Sequence, residues 1–169
     1  IALRHLRQLK DPRQVPAFAP LLQDPDVGLR RETVAALAAI THPAITAPLL
    51  GALQDGDVEV RRTALIALKP LQDTRLLEPL AALQQDGDPG VRKEAVLARA
   101  LLGGAGQTAF LLAALGDADA GVRVEAATAL TPLRDPAAYA DLVVHLTDAA
   151  PPVRVACARA LAALQDKRA

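Results

Sequence analysis

The chain has 169 residues with 51% apolar side chains, enough to bury a core in one ordinary domain and too hydrophobic for a disordered segment. Lys plus Arg equals Asp plus Glu, 19 against 19, which argues against sequence-independent nucleic-acid binding and against an anionic membrane surface. Aromatic residues are 2% of the chain (Phe18, Phe110 and Tyr139), so any core must be built from Ala, Leu, Val and Ile. Cys157 is the one cysteine and excludes an internal disulfide framework; a reducing compartment, the cytoplasm, is expected. No run approaches the ~20 apolar residues of a membrane span, and no stretch reads as a signal peptide.

Residues 1–10, IALRHLRQLK, read as the last third of a repeat and place an apolar stripe, Ile1, Leu3, Leu6 and Leu9, on a helix that begins without a cap. The expectation is that further repeats of the same chain precede them, because a terminal unit is normally a polar cap. Five units of 31 residues follow, at 11–41, 42–72, 73–103, 104–134 and 135–165, with a tail at 166–169. Three residue types keep the same step without a gap: Asp24, Asp55, Asp86, Asp117 and Asp148; Leu29, Val60, Val91, Val122 and Val153; Arg30, Arg61, Arg92, Arg123 and Arg154.

Each unit is expected to form two helices. The first is short: PRQVPAFAPLLQ, PAITAPLLGALQ, TRLLEPLAALQQ, AGQTAFLLAALG and PAAYADLVVHLT in turn. Pro48 and Pro79 fall inside two of them and predict a bend. The second helix opens at Asp26, Asp57, Asp88 and Asp119, residues suited to accept from the free N–H groups of a first turn. Ala150 stands at that position in the last unit, so that helix should start less firmly. Apolar residues then recur at helical spacing, as in Val60, Ala64, Leu68 and Leu71. Connections of a few residues force the two helices antiparallel.

The segment Asp-Gly-Asp-Val-Glu-Val-Arg-Arg at 55–62, followed by Ala64-Leu65 and Ala67-Leu68, resembles the HEAT repeat, and more closely the short prokaryotic HEAT-like repeats of the phycobilisome-lyase type. The resemblance covers nearly the whole chain and implies one all-α domain, 1–169: a right-handed α-α superhelix (solenoid) of five helical hairpins plus an N-terminal half repeat. It further implies that the five phased aspartates and five phased arginines form a ladder tying neighbouring units together.

Catalytic patterns are sparse. His5, His42 and His145 lie at unrelated phases, and no His-x-x-x-His or Cys-x-x-Cys spacing occurs, so no metal or cofactor is expected. Cys157 occupies the phase of Thr33, Ala64, Ala95 and Ala126 and reads as a small core residue. Gly103-Gly104-Ala105-Gly106 lacks the ending of a phosphate-binding loop and follows a helix, which makes it a helix C-terminus and an elbow. Arg99 occupies the core phase of Leu37 and Leu68, so either this unit is rotated or the side chain reaches the surface along its stem.

Similarity to HEAT solenoids implies that the second helices line a concave binding face. On that face a basic row, Arg31, Arg62 and Lys93, borders an apolar patch, Ile66, Leu97, Leu101 and Val124. The expected function is therefore a non-catalytic scaffold that binds another protein or a peptide. A subunit of a phycobilin-lyase-like chromophore attachment or detachment factor is the alternative carried by resemblance alone. A HEAT-like DNA-binding or glycosylase module is disfavoured, because such enzymes use aromatic residues and this chain has no Trp and one Tyr. An engineered repeat is the third alternative, against which the uneven unit surfaces argue.

Overall fold

A computed structural model describes residues 11–104 and 106–165; the stripe at 1–10, Ala105 and the tail at 166–169 lie outside the described residues. Among the described residues every regular element is helical. Ten α-helices alternate between short first helices and longer second helices. The first helices are α1 Val15–Phe18, α3 Thr46–Ala52, α5 Leu77–Leu83, α7 Gln107–Leu115 and α9 Tyr139–Val144. The second helices are α2 Val27–Ala38, α4 Val58–Leu68, α6 Pro89–Leu102, α8 Ala120–Leu130 and α10 Pro151–Gln165.

The starts of these helices follow directly from side-chain chemistry. Asp26 accepts from Gly28 N, Asp57 from Glu59 N and Val60 N, Asp88 from Val91 N, and Asp119 from Val122 N. A helix leaves its first N–H groups without intrahelical partners, and each aspartate supplies one. Four of the five first helices are preceded by a 3-10 turn, at Pro12–Gln14, Pro43–Ile45, Thr74–Leu76 and Pro136–Ala138. Asp11, His42, Asp73 and Asp135 cap those turns, His42 through Nδ1, which accepts from Ala44 N at 3.1 Å. Pro48 and Pro79 sit in the first turn of α3 and α5, where a missing N–H breaks no helical bond. The irregularity at these prolines is thus a change from 3-10 to α at the helix start, not a kink in a helix interior.

The second helices end in a way set by one phase. Pro70 and Pro132 stop α4 and α8, which tighten into the 3-10 turns Lys69–Leu71 and Thr131–Leu133. Gln72 and Arg134 then take left-handed backbone, φ 49° and 47°, and Gly103 does so at the same phase, φ 64°. Leu101 stands where the prolines stand, so α6 runs on without a break to Leu102.

The chain forms two compact units, Ile1–Pro79 and Leu80–Ala169. In the first, α2 packs on α4, and Leu37, Leu49, Leu65 and Leu68 are fully buried. In the second, α6 packs on α8 and α8 on α10, while α7 and α9 cover α8 and α10 respectively. Its core is Val96, Leu111, Leu115, Ala127, Leu142 and Cys157, small and medium aliphatic side chains that let helices approach closely.

Candidate functional site

The loop between the helices of a unit carries a repeated polar network. The first loop aspartate folds over its own loop and accepts from the backbone N–H two residues on: Asp24 from Asp26, Asp55 from Asp57, Asp86 from Asp88, Asp117 from Asp119, and Asp148 from Ala150, all at 2.7–2.9 Å. The phased arginine returns from the second helix to the same loop. Its Nη1 donates to the carbonyl six residues back in all five units, at 2.8 Å each time.

The remaining edge of the guanidinium reaches the next unit. Arg30 donates Nε and Nη2 to both carboxylate oxygens of Asp55, at 2.8 and 3.0 Å. Arg92 meets Asp117 at 2.7 and 2.8 Å, and Arg123 meets Asp148 at 2.8 and 2.9 Å, both with the same two atoms. These pairs are largely shielded from solvent, with side-chain exposures between 8% and 19%. A planar fork on a planar carboxylate is the geometry in which an arginine pair gives both energy and register. The Arg92 guanidinium holds the Asp117 carboxyl below its usual range, and Arg123 does the same to Asp148. At Asp55 burial pushes upward, but the hydrogen bonds from Arg30 and from the Asp57 N–H leave it lowered. A carboxylate bound this way is a fixed acceptor rather than a proton shuttle.

Cys157 is fully buried, and burial pushes its thiol up to about 11. It is a core residue and not a nucleophile at neutral pH. Among the described residues no cluster of three or more His, Cys, Asp or Glu is arranged to hold a metal ion. No helix among them is long and apolar enough to cross a membrane.

Arg99 is buried, 4% exposed, and does not reach the surface. Its guanidinium donates to the Gly103 carbonyl and lies over the Phe110 ring, 5.8 Å from the centroid. Gln107 ties the same segment from the other side, Nε2 donating to the Ala100 carbonyl at 3.0 Å. The glycine-rich elbow is therefore held by two side chains that satisfy the carbonyls at the end of α6. Gly103, Gly104 and Gly106 supply the left-handed backbone that the turn requires, with φ between 64° and 81°.

The outer face of the second helices carries the candidate contact residues. In the first compact unit, Ile66 is 43% exposed on α4, while Ala64, Leu65 and Leu68 on the same helix are fully buried. Arg62 is exposed beside it. Arg31 is exposed too, but its fork grips the cap residue Asp57 at 2.9 and 2.6 Å. In the second compact unit, Leu97 and Leu101 lie one turn apart on α6, the first half-buried and the second 50% exposed. Lys93 is half-buried on the same helix, and Val124 on α8 is half-buried against the core.

Two surface features were not singled out from the sequence. A shallow groove of about 360 Å³ runs between α8 and α10, lined by Thr128, Pro132, Ala156 and Arg159 among others. Tyr139 and Val143 on α9 and Leu146 in the 3-10 turn that follows it are exposed apolar side chains. Leu146 shares its phase with Leu22, Leu53 and Leu115, which are buried, so nothing in the sequence marks it as exposed.

Comparison with known proteins agrees with this architecture. Among solved structures, YibA of E. coli is similar over 98% of this chain and 65% of its own, with a TM-score of 0.79 and 22% identity. A designed armadillo repeat protein in complex with the peptide (KR)4 is similar over 96% of this chain and 91% of its own, at a TM-score of 0.67 and 24% identity. Human deoxyhypusine hydroxylase matches over 95% and 77%, at a TM-score of 0.52 and 23% identity. A sequence search of curated proteins returns no match. The profile for HEAT repeats matches residues 1–69, 46–121 and 108–169, together the whole length, and with the recurring helical hairpins this places the chain in the HEAT-repeat family.

Proposed function

We propose that the chain is a non-catalytic scaffold that binds a segment of a partner protein or a peptide on the exposed face of its second helices, the side read from the sequence as concave. In the first compact unit Ile66 supplies the apolar contact beside Arg62 and Arg31; in the second, Leu97, Leu101 and Val124 supply it beside Lys93. The observation that carries this reading is the exposure of Ile66 and Leu101, 43% and 50%, on helices whose other apolar side chains are buried or half-buried. Exposed apolar side chains rimmed by cations suit a helix or strand with an apolar stripe and acidic flanks, the first giving affinity and the second orientation. Designed repeat proteins of similar fold bind peptides, as in the (KR)4 complex, which supports peptide capture in general. The non-catalytic reading rests on chemistry: the carboxylates of Asp55, Asp117 and Asp148 are committed to arginines, and the thiol is buried and protonated. A reducing compartment, the cytoplasm, suits that free thiol. The chromophore-lyase alternative has no feature of the geometry in its favour.

The test is selection of binders from a displayed random-peptide library, followed by titration of Ile66→Asp and Leu97→Asp. Selected peptides should carry an apolar stripe with acidic flanks and lose at least about tenfold in affinity on each variant, with the melting temperature within a few degrees of wild type. Variants that unfold would make these residues core; variants that bind normally would move the site elsewhere.

A further inference from the structure

In the second compact unit, α6 packs on α8 and α8 on α10, which sets one repeat phase side by side on three helices: Leu97, Thr128 and Arg159. Leu97 is half-buried, and Thr128 and Arg159 are exposed. Thr128 is exposed although a further hairpin follows α8, so the exposure belongs to the phase and not to a chain end. Between α8 and α10 the surface sinks into the groove of about 360 Å³, lined by Pro132 and Ala156 and by Arg134 and Arg159. Among the described residues, both charged side chains that line it are cations. Glu125, one turn before Thr128 on α8, stands outside it.

Arg159 makes no hydrogen bond or ion pair among the described residues, unlike Arg92 and Arg123, whose forks are filled by aspartates. An unfilled guanidinium beside a groove without acids suits a planar carboxylate from outside. The threonines narrow the choice further. Thr128 Oγ1 donates to the Val124 carbonyl at 2.8 Å, and Thr131 Oγ1 to the Ala127 carbonyl at 3.1 Å. With both hydroxyl protons committed to the chain itself, these oxygens keep only lone pairs for a ligand and call for N–H donors. A helix spends its backbone N–H groups on its own carbonyls, whereas an extended segment has them free.

We propose, resting on the reading of this face as a capture surface, that the groove between α8 and α10 holds an extended acidic segment of a partner protein. A Glu or Asp carboxylate of that segment sits on Arg159, and an apolar side chain of it sits on Leu97 and Leu101. The spacing between the two follows from helix packing. Neighbouring packed helices lie about 8–10 Å apart, so Leu97 and Arg159, two helices apart at one phase, are separated by roughly 16–20 Å. An extended chain rises about 3.3 Å per residue and covers that span in about five or six residues. A helix rises about 1.5 Å per residue and would need about eleven to thirteen.

The experiment selects binders from a displayed random-peptide library on the whole chain and measures synthetic copies of them by fluorescence anisotropy. The selected peptides should carry an acidic residue about five or six positions from their apolar anchor. Arg159→Ala should weaken such a peptide roughly tenfold, and should not affect the same peptide with glutamine in place of the acid. The melting temperature should not change, because Arg159 is exposed and bonds to nothing in the chain. Arg159→Glu should instead prefer a lysine at the acid's position. Full affinity in Arg159→Ala, for peptides that Leu101→Asp still releases, would overturn the proposal and leave the capture reading standing. Peptides that neither substitution weakens, or a library that yields no binder, would overturn both. An acid spaced about eleven to thirteen residues from the anchor would overturn the extended form in favour of a helix.

Discussion

Asp117 illustrates how much one position of this repeat does. Its carboxylate closes its own loop on the Asp119 N–H and also receives both edge donors of Arg92. Removing Arg92 strips a partly buried carboxylate of two donors and leaves the Asp86 carbonyl without its own. Arg92→Ala should therefore cost roughly 1–3 kcal/mol, read as a fall of several degrees in melting temperature with peptide affinity unchanged. An unchanged melting temperature would show that the ladder is ornamental. The same carboxylates predict an acid limit. Asp55, Asp117 and Asp148 are held below the usual carboxylate range in the folded chain, and Arg31 holds Asp57 down to about 2. A depressed folded value means stability that is complete above the unfolded value, about 4, and is lost as pH falls through the folded one. The melting temperature should thus be flat between about pH 7 and 5 and fall between about pH 4 and 2. A protein equally stable at pH 2.5 and pH 6 would contradict this. The positions of these residues are legible in the sequence from their common step. Their double duty is not: nothing in the spacing announces that the arginine also serves a carbonyl six residues back.

The helices show where side-chain chemistry decides local structure and where tertiary context overrides it. Asp26, Asp57, Asp88 and Asp119 cap their helices through their own carboxylates. At the fifth copy the residue is Ala150, whose backbone carbonyl accepts from Val153 and Arg154 but whose side chain offers no cap. Replacing Ala150 by Asp should stabilise the chain by about 1 kcal/mol. In the wild type, native-state hydrogen exchange should show 151–164 opening before 58–71 and 89–102. Equal protection of the three segments would count against capping as the cause. The first helices were harder to read. Pro48 and Pro79 suggested bent interiors, yet each proline lies in a first turn, because the preceding 3-10 turn shifts the α start toward it. Arg99 resisted both sequence readings because its partners, the Gly103 carbonyl and the Phe110 ring, come from an elbow whose path depends on three left-handed glycines. That path cannot be deduced from periodicity.

On the scale of the whole molecule, a period of 31 residues was enough to define the hairpins and the residues between them, because every unit repeats one local solution. What periodicity could not give is which copies depart from that solution, and function is written in those departures. Ile66 and Leu97 are large and apolar at a phase that carries Ala35, Thr128 and Arg159 in the other repeats, and Leu101 stands where Pro70 and Pro132 stand. On the proposed reading, the exposed face of the second helices receives a partner segment. Methyl NMR of the chain titrated with a library-selected peptide tests it most directly, since Ile, Leu and Val methyl groups report on contact residue by residue. Shifts should concentrate at Ile66, Leu97, Leu101 and Val124. Shifts confined to Val143, Val144 and Leu146, or spread over the first helices with those four unmoved, would contradict it.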